Sequence, residues 1–346
     1  MSAQYQAVLW NRQKKLYDLT MVGGALLYLA LFVTLNLVLR PEATLETVLI
    51  RAFGTAALLS LHVVLSIGPL ARLDPRFLPL LYNRRHLGVM TFVLGAAHGI
   101  FALIQFHVGT GTNPIVSVFV ANTRLDSVSQ FPFQPLGLFA LVVLFLMAVT
   151  SHDFWLSQLS APIWKTLHML VYVAYGALIL HVALGALQLE DDPLLSLLLV
   201  VGFGWIFAIH IFAGWRGRRL DREHLSAVKE GYVRVCHPDE IQDDRARIVC
   251  LAGERVAIFK YDGKVSAVSN VCQHQNGPLG EGRVVDGCIT CPWHGYQYEP
   301  ETGASPPPFT EKIPTFRVKM IDGEIWLDPK PLPAGSHVAA VPVSDE

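Results

Sequence analysis

Apolar positions run in long, nearly unbroken stretches over the first two thirds of the chain and in short alternations over the last third. Six stretches, approximately 20–39, 46–70, 87–107, 134–150, 165–187 and 194–214, each approach the roughly 20 residues that a bilayer-spanning helix requires. From 231 to 330 the pattern shortens to runs such as "RVAIF", "KVSAV" and "EIWLD", broken by the turn pairs "YDGK", "VDGC" and "IDGE". That is the period of β-strands joined by tight turns. The expected fold is a membrane all-α six-helix bundle followed by a small all-β domain. Its parts are an N-terminal segment 1–19, a helical domain 20–214, a basic linker 215–230 ("WRGRRLDREHLSAVKE"), a β-domain 231–330 and a flexible, Pro-rich tail 331–346. No internal repeat stands out by inspection.

Composition agrees with membrane spans: 52% of the 346 residues are hydrophobic and 16% charged, against about 25% charged in soluble domains. A net charge of -1 implies no domain-wide basic surface and speaks against nucleic acid as a partner. The first apolar stretch follows "WNRQKKLYD", which lacks a small-residue cleavage site and reads as preceding a retained helix. Six spans would put both ends of the chain on one side. Twelve basic residues, including Arg84, Arg85, Lys165 and Arg216, fall at one set of helix ends, against Arg40, Arg51 and Arg124 at the other. The bias of Lys and Arg toward the inner side then places both termini and the β-domain in the cytoplasm. The five cysteines are an odd number, which argues against a disulfide framework and suits a reducing compartment.

Two clusters in the β-domain carry candidate metal ligands, Cys272-x-His274 and Cys291-x-x-His294. Thiolates and neutral imidazoles suit zinc or iron-sulfur chemistry equally well. Zinc fingers, however, generally need two to four residues between paired ligands and a helix carrying the histidines. Here the first pair is one residue apart and the second stands in "CPWHG" between strands. The pattern resembles the Rieske family over about 100 residues. The resemblance implies a [2Fe-2S] cluster, with Cys272 and Cys291 on one iron and His274 and His294 on the other. The extra loop cysteines of the respiratory members are missing, so the domain resembles the ferredoxin type. Fewer polar donors to the cluster sulfurs would then set its potential toward the low part of the roughly -150 to +300 mV range. Cys288 reads as a structural cysteine, and Cys236 and Cys250 as core.

Histidines inside a bilayer invite a functional reading. His98 stands 13 residues beyond Arg85 and His181 stands 16 beyond Lys165, or roughly 20 and 24 Å at 1.5 Å per residue, so two rings at similar depth could sit on opposite faces of one heme. The stretches "NRRHLGVMTFVLGAAH", "LMAVTS" and "WKTLHMLVYVAYGALILH" resemble the ferric reductase-like transmembrane family, and within it the heme membrane subunit of the periplasmic methionine sulfoxide reductase system. The resemblance implies a six-helix heme bundle in a bacterial-type inner (plasma) membrane, with His98 and His181 as axial ligands of an outer b-type heme. His168, pairing with His86, His62 or His210, would serve an inner heme. Whether there are one or two hemes stays open, because Arg84 stands where two-heme relatives carry a histidine. His107 and His152, at helix ends, read as solvated or headgroup-facing.

Relatives of this kind attach a flavin and NAD(P)H domain after the sixth helix, but this chain has no HPF[ST] motif and no phosphate-binding glycine loop. The expected function is electron transfer from a cytoplasmic donor, a ferredoxin or flavin reductase, through the cluster to heme and then to an outer-side redox partner or quinone. Two alternatives remain at this level: an electron-supplying component of a Rieske-type oxygenase system, and a heme and cluster redox sensor. The expectation is accordingly an oxidoreductase component, a ferric reductase-like heme protein without its own flavin and NAD(P)H domain, and no catalytic residue is assigned.

Overall fold

The computed structural model describes residues 12–109, 111–128, 130–152, 155, 159, 161–189, 193–222, 228–229, 231–293 and 295–343. The chain divides into two compact units, one of 11–67 and 83–209, the other of 1–10, 68–82 and 210–346.

The first unit is helical. The principal helices are α1 (Arg12–Leu39), α2 (Leu45–Leu73), α3 (Arg84–His107), α4 (Pro114–Val120), α5 (Gln134–Thr150), α6 (Ala161–Met169), α7 (Val171–Leu184), the single turn α8 (Ala186–Leu189) and α9 (Pro193–Arg222), of which α2 and α9 run on past Ile67 and Ile209, where the second unit begins. Among the described residues, five helical stretches are long and apolar enough to cross a membrane: Lys14–Leu39, Leu45–Leu73, Arg84–His107, Ile163–Gln188 and Pro193–Arg222. The sixth apolar stretch forms α5, 17 residues long, or about 26 Å at 1.5 Å per residue. Large apolar side chains such as Leu26, Ile100, Leu197 and Phe207 point outward, whereas Ala52, Ala140 and Ala174 are wholly buried. Small residues inside and large apolar ones outside are what helices packing in lipid require, because close backbone approach replaces the hydrophobic drive available in water. Helix α9 runs on to Arg222, so the basic segment begins as helix.

In the second unit the β-domain forms three antiparallel sheets. These are β1 (Val228–Lys229), β2 (Tyr232–Cys236), β11 (Glu324–Leu327) and β10 (Val318–Ile321) in that order; then β12 (Val341–Pro342), β5 (Lys264–Ser269), β4 (Glu254–Tyr261) and β3 (Arg245–Leu251), with β9 (Thr315–Phe316) also on β5; then β6 (Arg283–Val285), β7 (Cys288–Thr290) and β8 (Gln297–Tyr298). Strand β4 shows why the middle sheet is apolar on both faces. Val256 and Ile258 enter one core with Val265, Phe316 and Leu327, while Ala257 and Phe259 enter the other with Leu279, Ile289 and Tyr298, as the two-residue period dictates. The predicted turns recur with positive φ at both central residues: Asp262–Gly263 at 47° and 68°, Asp286–Gly287 at 51° and 76°, and Asp322–Gly323 at 54° and 74°. This is the primed hairpin geometry that Asp-Gly favours.

The tail corrects an expectation. Read as flexible over 331–346, it is instead a strap along the β-domain as far as residue 343. Leu332 N–H donates to the Thr315 carbonyl, Val338 N–H to that of Glu301 and Val343 N–H to that of Gly263, and Val341 pairs with Val265 on β5. Prolines suggested an unpaired coil, but the free edge of β5 offers backbone partners that a strand-like segment takes up. Residues 344–346 lie outside the described residues.

Candidate metal centres

The first centre sits on two loops of the β-domain. One leaves β5 and closes on itself, with Cys272 N–H donating to the Gly277 carbonyl at 2.9 Å and Asn276 N–H to the Cys272 carbonyl at 2.7 Å. The other lies between β7 and β8, where Cys291 N–H donates to the Tyr296 carbonyl at 2.7 Å and Gly295 N–H to the Cys291 carbonyl at 2.9 Å. The loops meet at Gly277, where a Cβ would lie 2.7 Å from Cys291 Sγ, so only glycine fits. Cys272 and Cys291 are buried at 0% and 1% exposure. Burial pushes the Cys272 thiol up, but hydrogen bonds with Cys291, Tyr298 and the backbone of His274 and Gln275 outweigh it and bring the thiol down to about 7.

Two tyrosine rings back the loops. His274 stacks on Tyr296 with ring centres 4.8 Å apart and planes 7° from parallel, and the Tyr296 hydroxyl donates to the Glu311 carboxylate. Tyr298, wholly buried, accepts from Gln273 N–H at 3.0 Å and lies 3.4 Å from Cys272 Sγ. Burial and the charge of Cys272 push the Tyr298 hydroxyl well above its ordinary value, so it keeps its proton and donates it to the thiolate. Tyr298 thus supplies one polar donor at Cys272 Sγ. Tyr298 was missed in the sequence because a tyrosine in a strand reads as core. His294 lies outside the described residues. Among the described residues no three His, Cys, Asp or Glu side chains converge as a single-ion site. A two-iron cluster with thiolates on one iron and imidazoles on the other asks for no such convergence. Two adjacent buried thiols, one of low pKa, with hydrogen-bond donors at sulfur and an imidazole on the same loop, fit a [2Fe-2S] cluster.

The second centre lies among the helices. The rings of His98 on α3 and His181 on α7 face each other with centres 6.2 Å apart and planes 86° from parallel. His98 Nδ1 is 2.9 Å from the Ile50 carbonyl and His181 Nδ1 is 2.9 Å from the Phe133 carbonyl. A carbonyl can only accept, so each ring carries its proton on Nδ1 and leaves the Nε2 lone pair for a metal. An iron bound by two ring nitrogens at about 2 Å each separates the ring centres by roughly 6 Å, which fits a b-type heme.

His168 and the histidines read as its inner-heme partners stand as follows. His168 Nδ1 is 3.0 Å from the Trp164 carbonyl, its Nε2 is 3.5 Å from Ser151 Oγ, and its ring stacks on Trp164 at 3.8 Å. His62 is engaged at both nitrogens, by the Leu58 carbonyl at 2.7 Å and the Tyr175 hydroxyl at 3.1 Å. His86 pairs with Asp18 at 2.7 Å, and His210 stands on α9. His107, expected to be solvated, is instead buried at 4% exposure and bonds Ser117 Oγ at 2.8 Å, because α4 folds back over the end of α3.

Comparison with known proteins matches residues 231–317 to the Rieske [2Fe-2S] domain family and residues 51–179 to the ferric reductase like transmembrane component family. The β-domain is similar to the 3-phenylpropionate/cinnamic acid dioxygenase ferredoxin subunit of Photorhabdus laumondii, 35% identical over 95 residues that make up 27% of this chain and 90% of that protein. It is similar to the ferredoxin component of the alkene monooxygenase system of Xanthobacter autotrophicus, 29% identical over 103 residues, 30% of this chain and 84% of that protein. A cholesterol 7-desaturase of Ciona intestinalis is 29% identical over 29% of this chain, and the chain spans 22% of that relative's length. Among solved structures, the ferredoxin of carbazole 1,9a-dioxygenase from Nocardioides aromaticivorans IC177 is 26% identical over 29% of this chain and 100% of its own, with a TM-score of 0.28. The chain thus joins a ferric reductase-like transmembrane domain to a β-domain that belongs to the Rieske [2Fe-2S] family.

Proposed function

We propose that this protein moves electrons from a cytoplasmic donor to an acceptor on the outer side of a bacterial-type inner membrane, with six spans that include Gln134–Thr150 and both termini in the cytoplasm. Cys272, His274, Cys291 and His294 would hold a [2Fe-2S] cluster, and His98 and His181 a b-type heme, groups that supply one-electron chemistry when bound. The chain's own residues bury the thiolates, aim a proton from Tyr298 at Cys272 and keep the Nε2 atoms of His98 and His181 free of protons. The observation that carries the reading is the facing pair of imidazoles, 6.2 Å apart, on apolar helices of the same chain as a Rieske domain. A ferredoxin or flavin reductase is the proposed donor, and an outer-side redox partner or a quinone the acceptor.

The purified chain, supplied with NADPH and a ferredoxin reductase, should develop a reduced b-type α band. Cys291→Ser should abolish that reduction while dithionite still produces the band. Equal enzymatic reduction in the variant overturns the reading. A second reading follows from the relatives, two of which are ferredoxin components of oxygenase systems: the Rieske domain would supply electrons to a separate oxygenase. Enzymatic turnover of such an oxygenase by a chain that leaves its own heme oxidised would favour it.

A further inference from the structure

The contacts that hold the two facing histidines repeat with one spacing. His98 Nδ1 meets the Ile50 carbonyl and His181 Nδ1 the Phe133 carbonyl, each at 2.9 Å and each from 48 residues earlier in the chain. About one turn after each carbonyl stands a glycine, Gly54 on α2 and Gly137 on α5. A Cβ on Gly54 would lie 2.8 Å from His98 Nδ1, and a Cβ on Gly137 would lie 2.7 Å from His181 Nδ1 and Cε1. Both distances are shorter than van der Waals contact, and the atoms met belong to rigid rings tied down by hydrogen bonds, which cannot swing aside as the end of a flexible chain would. Carbonyl, glycine and histidine therefore occur twice, the second set displaced from the first by 83 residues at every member.

Proximity of glycine to histidine is not by itself the signature. A Cβ on Gly202 would lie 2.3 Å from His62 Nε2, yet that nitrogen bonds Tyr175, and the residue 83 further on from His62 is Phe145. Among the described residues, the His98 and His181 sets repeat at this spacing and their rings face one another.

We infer that the helix pairs α2–α3 and α5–α7 hold their histidines by the same carbonyl-and-glycine arrangement, and that Gly54 and Gly137 are positioning residues. Their missing side chains let the histidine rings lie against the neighbouring helix, where a backbone carbonyl fixes tautomer and ring plane for a flat iron tetrapyrrole. The inference rests on the reading of His98 and His181 as heme ligands. It assigns the orientation of the site to backbone atoms, so no polar side chain is needed beside either ligand inside the membrane. Groups that orient a ligating histidine typically cost about 10- to 100-fold in metal affinity when lost.

The test uses the full chain in lipid nanodiscs with Gly54→Ala, Gly137→Ala and the control Gly176→Ala, whose added Cβ meets nothing within 4 Å. Heme per chain and the low-spin ferric EPR signal, which reports the angle between the two imidazole planes, are measured beside the cluster EPR signal as a check on folding. The expected result is a drop in heme affinity of about tenfold or a shifted ferric signal in the first two variants, with the cluster signal retained and Gly176→Ala unchanged. Wild-type heme affinity and ferric signal in both Gly54→Ala and Gly137→Ala overturn the inference while leaving the ligand assignment intact. Heme retained at full content in His98→Ala and His181→Ala overturns the ligand assignment itself, and the inference with it.

Discussion

Tyr298 is placed to tune the proposed cluster without binding it. Its hydroxyl accepts from Gln273 N–H at 3.0 Å, which turns its proton toward Cys272 Sγ, 3.4 Å away. A proton donated to a thiolate favours the more negative, reduced state of whatever that thiolate ligates, so the bond raises the midpoint potential. Tyr298→Phe should lower the cluster midpoint by roughly 40 mV, the equivalent of about 1 kcal/mol of differential hydrogen bonding for a one-electron couple. An EPR-monitored redox titration checks this. An unchanged midpoint would mean that the hydroxyl serves only Gln273. The candidate cysteines were legible in the sequence because thiol spacing is local, but Tyr298 was not, because nothing in the chain says which strand ends under Cys272.

At the scale of elements, the strap and the end of α9 depend on contacts that composition conceals. Val341 and Val343 pack against the core that contains Val265 and Ile325, and four backbone hydrogen bonds tie residues 332–343 down. Truncation after Pro331 should destabilise the Rieske domain by about 1–3 kcal/mol, read as a lower temperature for loss of the cluster's visible absorption. A truncated chain that melts at the same temperature would return the tail to the flexible state its prolines suggested.

The Asp221 carboxylate at the end of α9 accepts two hydrogen bonds from Arg255 on β4, at 2.7 and 2.8 Å. These bonds, with the Arg255 charge and against a smaller opposing effect of burial, hold its pKa below the usual carboxylate range. The stability this contributes is present in full above the ordinary carboxylate pKa and is lost as pH falls through the lowered folded value. As an exposed pair it is worth no more than about 1 kcal/mol. Hydrogen exchange in the last turn of α9 should therefore quicken relative to β4 as the pH drops below the carboxylate range, after correction for intrinsic rates. Asp221→Asn should show that faster exchange already at neutral pH.

For the whole molecule, the two centres belong to separate compact units, each with its own buried residues. Loss of one group should therefore leave the other in place. His98→Ala and His181→Ala should lose the b-type Soret band and keep a full cluster EPR signal, while Cys272→Ser should do the reverse. Joint loss of both signals in either class would show that the units fold as one.

Residue identity and spacing alone determined the domain order, the apolar stretches, the Asp-Gly hairpins and the candidate ligand types, because each of these is a relation between residues close in the chain. The facing of His98 and His181 was partly within reach, since counting from the basic helix ends compares depth, although depth leaves open which way a ring points. The glycine notches, the carbonyls of Ile50 and Phe133, the burial of His107 under α4 and the partners of His62 and His168 were decided only by tertiary structure. Each depends on which helix faces which across tens of residues, and a run of apolar side chains looks the same on every face until the helices are packed.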